Sequence, residues 1–332
     1  MAISIDDIKK LRAMTGAGLA DVKKALTEAE GDFDKAKELL RERGLAIAAK
    51  RSDRETSNGC VLVKSANGFA AMIALKCETD FVANGADFIA LTQSILDAAI
   101  AAKAKDIEAV KELTLADGQK VQDAVTQRSG ITGEKMELDG YLTLEGENIE
   151  VYNHMGKNTL CTMVQTNKPA DEQGHLVAMQ VAAMKPVALD AQSIDPKILD
   201  EEYKTDVEKS KLEQVQKFVD MKLKKAGLNP NLVDSEDHIE SNMSKGWLTQ
   251  EQADEARKII ADAKVEGEAN LKMPMIEGIA KGRVEKFKKE NCLVDQEFQF
   301  GDGDKATVSQ WLAKQDKDLK IVAFQRFTLV AD

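Results

Sequence analysis

Histidine and cysteine are scarce in this chain, with three and four copies in 332 residues, and aromatic residues make up only 5%. His154, His175 and His238 form no pair at helical or hairpin ligand spacing, which argues against a zinc site. Cys60, Cys77, Cys161 and Cys292 are scattered, with neither metal-ligand nor disulfide-framework spacing, so the expected compartment is reducing: cytoplasmic. No apolar run approaches the roughly 18–20 residues needed to span a membrane. The start, "MAISIDDIKKLRAM", lacks the apolar core of a secretory signal. Basic residues are outnumbered, 46 to 57, giving a net charge of −11. A phosphate-backbone binder would carry the opposite excess, so no direct nucleic acid partner is expected. The phosphate-cradling, dinucleotide-binding and nucleophile-elbow glycine motifs are all missing, and no Cys or Ser has an identifiable base. The chain reads as a non-enzyme without cofactor or metal. The acidic turn "FGDGDK" (Phe300–Lys305) lacks further ligands at calcium-loop spacing and reads as a surface turn.

Alanine, lysine and glutamate are plentiful, so helix should dominate, and the length implies two to four domains. Residues 1–46 read as a three-helix module. Ser4 caps the first helix, "TGAG" (Thr15–Gly18) breaks it, Asp32 caps the third and Gly44 stops it. Residues 47–58 read as a linker. A hairpin follows, "CVLVKS" and "FAAMIALKC" about the turn "ANG", with one face of the second strand expected to be buried. After the "ETDFVANG" turn comes the helix "ADFIALTQSIL", then helical sequence broken at "ADG".

From Gly156 the pattern returns. Gly68 set over Gly156, 88 positions on, aligns strand with strand, turn with turn and helix with helix. The expected fold is therefore α+β: the helical module, then two repeated subdomains, each an antiparallel sheet covered by a helix. The first is placed at 59–139 and the second at 140–203 with 276–332, interrupted by a helical arm at 204–275. "CLVDQEFQF" and "LKIVAFQRFTLV" read as the last strands, completing the second sheet around a helix at "TVSQWLAKQ".

Three places invite a binding role. "TGAG" either joins two helices or lets another backbone approach closely, and spacing chooses neither. His154, in "VYNHMGKN", reads as a solvated loop residue. Phe81 sits beside Asp80 in a polar turn, where a phenyl ring gains nothing from water. It either folds back on the adjacent helix or enters another molecule, where burial is worth about 1.5–3 kcal/mol. The sister turn carries "NKPA" in place of "TDFV", so the repeated fold alone does not demand an Asp-Phe pair.

"LRAMTGAGLADVKKALTEAEGD" (Leu11–Asp32), "KCETDFVAN" (Lys76–Asn84), "HLVAMQVAAMKP" (His175–Pro186) and "KENCLVDQEF" (Lys289–Phe298) together resemble the elongation factor Ts family. The resemblance covers nearly the whole chain. It implies a ubiquitin-associated-like N-terminal bundle, a two-subdomain core and an inserted helical hairpin. It implies a guanine nucleotide exchange factor acting in protein synthesis on the GTPase elongation factor Tu, GDP-bound and nucleotide-free. Thr79, Asp80, Phe81 and Val82 would enter the GTPase near its magnesium. Thr15, Gly16, Ala17, Gly18, Leu19 and Lys23 would grip its nucleotide domain, and His154, with Asn84, would make further contacts. The inserted region is longer than in shorter members, and its role is either a homodimer or a partner contact. The C-terminal helical module of some members is expected to be absent. A helical adaptor that binds a partner irrespective of nucleotide is the alternative from another class.

Overall fold

The computed structural model describes residues 3–51, 53–301, 303 and 305–329. Ser52 of the expected linker, Asp302 and Asp304 of the acidic turn, and Val330–Asp332 lie outside the described residues. Two compact units are formed: Met1–Leu189 with Gln296–Asp332, and Asp190–Asp295.

The first unit begins with helices α1 (Ile5–Thr15), α2 (Leu19–Glu28) and α3 (Phe33–Lys50). Ser4 and Asp7 form a reciprocal capping box at the start of α1. Gly16, at φ 67°, ends it in the left-handed conformation. Asp32 accepts from the Asp34 and Lys35 amides, capping α3 as expected. Leu11, Val22, Ala25, Leu26 and Ala36 are fully buried and make one minimal core. Gly44 does not stop α3, which runs on six residues to Lys50. The glycine answers a tertiary demand: its backbone meets that of a later helix.

Strands β1 (Asn58–Ala66) and β2 (Phe69–Cys77) form the expected hairpin. Asn67 and Gly68 turn it, both at positive φ, as a two-residue hairpin turn requires. The single-turn helix α4 (Asp80–Ala83), then α5 (Ala86–Ala102), α6 (Ile107–Lys111) and α7 (Val121–Thr132) lead to β3 (Met136–Glu145). β3 pairs antiparallel with β2, giving the order β1-β2-β3. Next come β4 (Ile149–Asn153), β5 (Leu160–Thr166) and α8 (Asp171–Met184). The chain leaves for α9 (Pro196–Lys225), α10 (Glu236–Ser244), α11 (Gln250–Ala269) and α12 (Met273–Asn291) of the second unit. It returns with α13 (Val308–Gln315) and β6 (Ile321–Thr328), which completes the second sheet in the order β4-β5-β6.

The fold is α+β, with two three-stranded antiparallel sheets packed against each other. β2 is buried on both faces rather than one. Phe69, Ala71, Ile73 and Leu75 pack under α5 on Phe88, Ile95 and Leu96. Between them, Ala70, Met72 and Ala74 point the other way, onto Ile149, Cys161 and Met163 of the second sheet. Small alanines on that face let the sheets approach. α8 covers the second sheet's far side, where the Thr162 hydroxyl donates to the Ala178 carbonyl at 2.9 Å. "CLVDQEFQF" is not a strand: it forms a 3-10 turn at Leu293–Asp295 and one isolated bridge, Glu297 to Thr307. Gln296 and Phe298 are buried there, but buried alternation makes a strand only where a sheet edge is free to pair.

In the second unit, α9 packs against α11 and α12. Val215, Val219 and Leu223 face Ala253, Ala256 and Ala263, small residues that allow close packing. Arg283 of α12 donates two bonds to Glu213 of α9, at 2.8 and 3.0 Å. α10, capped by Ser235 and anchored by buried Ile239, carries too few apolar residues for its period to show in the sequence.

Candidate functional site

The turn after β2 is a helix of four residues, α4, far too short to hold itself. Nearly every residue of "KCETDFVAN" is spent on fixing it. Lys76 pairs with Asp139 at 2.6 Å. The buried Cys77 thiol donates to the Thr79 carbonyl at 3.2 Å, and burial pushes its pKa up to about 12. Glu78 accepts from the Lys135 amide at 2.6 Å and pairs with Arg51 at 3.0 Å. Those partners, the Lys135 amide first, hold its carboxyl below the usual value against the opposing effect of burial. Thr79 is the N-cap, its hydroxyl 3.4 Å from the Val82 amide. Val82 packs on the core beneath α5, Ala83 is buried, and Asn84 donates side chain and amide to the Asp80 carbonyl, at 2.8 and 3.0 Å.

Two side chains remain. Phe81 is 87% exposed and does not fold back on α5. The Asp80 carboxylate beside it is exposed and accepts no hydrogen bond from any described residue. A rigid turn thus presents a phenyl ring and an unengaged carboxylate to solvent. The sister turn does the opposite. Asn167 exchanges hydrogen bonds with the Lys320 backbone, 2.9 and 3.1 Å, and Lys168 pairs with Asp316 at 2.6 Å. It is consumed by the segment leading into β6.

The residues of the N-terminal module fall into two sets. Thr15 and Ala17 are each only 7% exposed, the Thr15 hydroxyl donating to the Leu11 carbonyl at 2.7 Å. They shape the α1–α2 turn from beneath. Gly18, Leu19 and Lys23 are exposed on its surface, together with Met14, which sequence reasoning passed over. The turn rests on α7: Gln127 donates to the Thr15 carbonyl at 3.3 Å, and a Cβ on Gly16 would touch Ile131. Just past α7, Glu134 accepts from the Thr79 hydroxyl at 2.6 Å and from its amide at 3.1 Å. α7 therefore supports both patches. Glu134 too was missed, because no periodicity marks a carboxylate that binds 55 residues away.

His154 stands apart, in the β4–β5 loop, with no hydrogen bond or ring contact to either patch. Its Nδ1 lies 3.2 Å from the Tyr152 hydroxyl, and the Tyr152 ring meets His154 and His175 edge-on, centroids 5.8 and 5.5 Å apart. Met155, in the left-handed region at φ 54° and 69% exposed, projects beside it. An apolar cavity of about 240 Å³ lies where the N-terminal module meets α7, lined by Ala17, Leu40, Gly44, Gly130 and Ile131, with Asp21 and Arg43 as its charges.

The family described as Elongation factor TS matches residues 78–331. The chain is 58% identical to Elongation factor Ts of Bacteroides fragilis, with all of both chains covered. It is 56% identical to Elongation factor Ts of Phocaeicola vulgatus and 40% to that of Porphyromonas gingivalis, again over the full length of both. By these matches the chain belongs to the elongation factor Ts family.

Proposed function

We propose that this chain binds the GTPase elongation factor Tu in its GDP form and promotes release of the nucleotide, so that GTP can rebind during protein synthesis. The observation that carries the reading is the exposed Phe81 beside the unengaged Asp80 on a clamped turn. A preorganised aromatic enters a partner pocket without first losing the freedom of a mobile loop, and its burial supplies about 1.5–3 kcal/mol.

Exchange follows from linkage. A factor accelerates release only if it binds the GTPase more weakly when nucleotide is present, and nucleotide then weakens the factor equally. Phe81 wedged between elements of the GTPase, with Asp80 directed at the magnesium site, supplies that difference. Disturbing the metal leaves phosphate charge uncompensated. No bond is made or broken, so the chain acts as a binding protein in the cytoplasm and not as an enzyme. Gly16, Gly18, Leu19 and Lys23 form a second contact, shaped from beneath by the buried Thr15 and Ala17, and Asn84 and His154 belong to the same interface. The helical unit is left for a homodimer or a further partner contact.

The test is release of a fluorescent GDP analogue from elongation factor Tu, chased with excess GDP. Acceleration at substoichiometric amounts of this chain is expected. Stable binding that ignores nucleotide, without acceleration, would leave only an adaptor. Asp80→Ala should cost less at low than at high magnesium, and an unchanged magnesium dependence would remove Asp80 from the metal site.

A further inference from the structure

Three other capped helices show what the exchange turn lacks. In α1, α11 and α13 the N-cap hydroxyl accepts from the amide of the third helical residue, whose side chain accepts from the N-cap amide in return: Ser4 with Asp7, Thr249 with Gln252, Thr307 with Gln310. In α4 the third residue is Val82, which is committed to the core and has no acceptor. The missing acceptor arrives from elsewhere. Glu134 takes the Thr79 amide at 3.1 Å, the bond that a local Glu or Gln makes in a capping box, and the Thr79 hydroxyl at 2.6 Å.

Glu134 is itself held. Its amide lies 3.3 Å from the Thr132 hydroxyl oxygen, which accepts from it, and its carbonyl accepts from the buried Ser129 hydroxyl at 2.6 Å. Gly133, at φ 71°, turns the chain out of α7 to place it. The two segments clasp reciprocally: Glu134 accepts from the Thr79 amide, while Glu78 accepts from the Lys135 amide at 2.6 Å.

We propose that Glu134 is a positioning residue for nucleotide exchange, supplying from 55 residues along the chain the capping carboxylate that α4 lacks and so fixing the direction in which Phe81 projects. This inference rests on the exchange reading above. Without Glu134 the four-residue helix frays, and Phe81 samples directions that miss the partner. A displacement of about 1 Å in a positioned group is enough for losses on the order of 10- to 100-fold.

The experiment compares wild-type, Glu134→Ala, Glu134→Gln, Phe81→Ala and the Glu134→Ala/Phe81→Ala double variant in full-length protein. Nucleotide release is measured at saturating factor, and amide hydrogen exchange by mass spectrometry. Glu134→Ala should slow release about tenfold and speed amide exchange at residues 79–85, and Glu134→Gln, which keeps one acceptor oxygen, should recover part of both. In the Phe81→Ala background, Glu134→Ala should cost much less than in wild type, because of the two groups it directs only Asp80 remains. An equal loss in both backgrounds, or unchanged protection of 79–85, would overturn the assignment. An inactive wild type would instead defeat the exchange reading, leaving the amide protection to report on the clamp alone.

Discussion

Gly44 of α3 and Gly130 of α7 meet backbone to backbone: a Cβ built on Gly130 would lie 2.4 Å from the Gly44 Cα. No side chain fits there without moving one helix, and this contact seats the N-terminal module on the core.

Gly130→Ala should therefore destabilise the protein by about 1–3 kcal/mol, seen as a lower midpoint in thermal or urea unfolding. Gly278→Ala is the control. It stands in α12 with nothing within 4 Å of the added methyl group, and should stabilise its helix by about 0.5–1 kcal/mol.

Phe81→Ala should leave folding almost untouched, within about 0.5 kcal/mol, because the ring packs on little of its own chain. Its exchange rate should fall at least about tenfold, the equivalent of roughly 1.4 kcal/mol of lost contact. A large fall in unfolding midpoint would show that the ring serves the fold instead.

Glu78 carries a pH dependence of defined sign. Its carboxyl is held below its ordinary value of 4.5 by the Lys135 amide and Arg51. The stabilisation is complete above about 4.5 and is lost as pH falls through the lower folded-state value. Between roughly pH 5 and 3 the wild-type stability curve should be steeper than that of Glu78→Gln, measured by urea unfolding at each pH. Identical slopes would mean that the carboxylate is not engaged.

All four cysteines are buried, and burial pushes the thiols up, Cys60 and Cys292 to about 11, Cys77 and Cys161 to about 12. Thiolate is the reactive form. Native protein should give almost no rapid reaction with a disulfide reagent at neutral pH, and all four thiols should react in denaturant.

Much of the molecule was legible because it is locally encoded. Ser4 and Asp32 announce their helices, Asn67-Gly68 announces its hairpin, and the 88-residue repeat anticipates two sheets each covered by a helix. Three readings failed for one reason. Gly44 looked like a stop, "CLVDQEFQF" like a strand and β2 like a one-faced strand, because each depends on a neighbour distant in sequence. For Gly44 that neighbour is α7, and for β2 it is the second sheet. For Gln296 and Phe298 it is a partner strand, and the segment finds only the single bridge of Glu297 to Thr307.

The sequence by itself determined most of the helices, the first hairpin, the repeated α+β plan and the unusual Asp-Phe pair, since periodicity, caps and turn residues act within a few positions. Tertiary structure alone decided which of the motif's residues are free. Thr79, Val82 and Asn84 look as available as Phe81 in the sequence, yet the first two are tied to Glu134 and the core, and the third caps the turn. A side chain is exposed or engaged according to what the rest of the chain brings to it, and a carboxylate 55 residues away leaves no local mark.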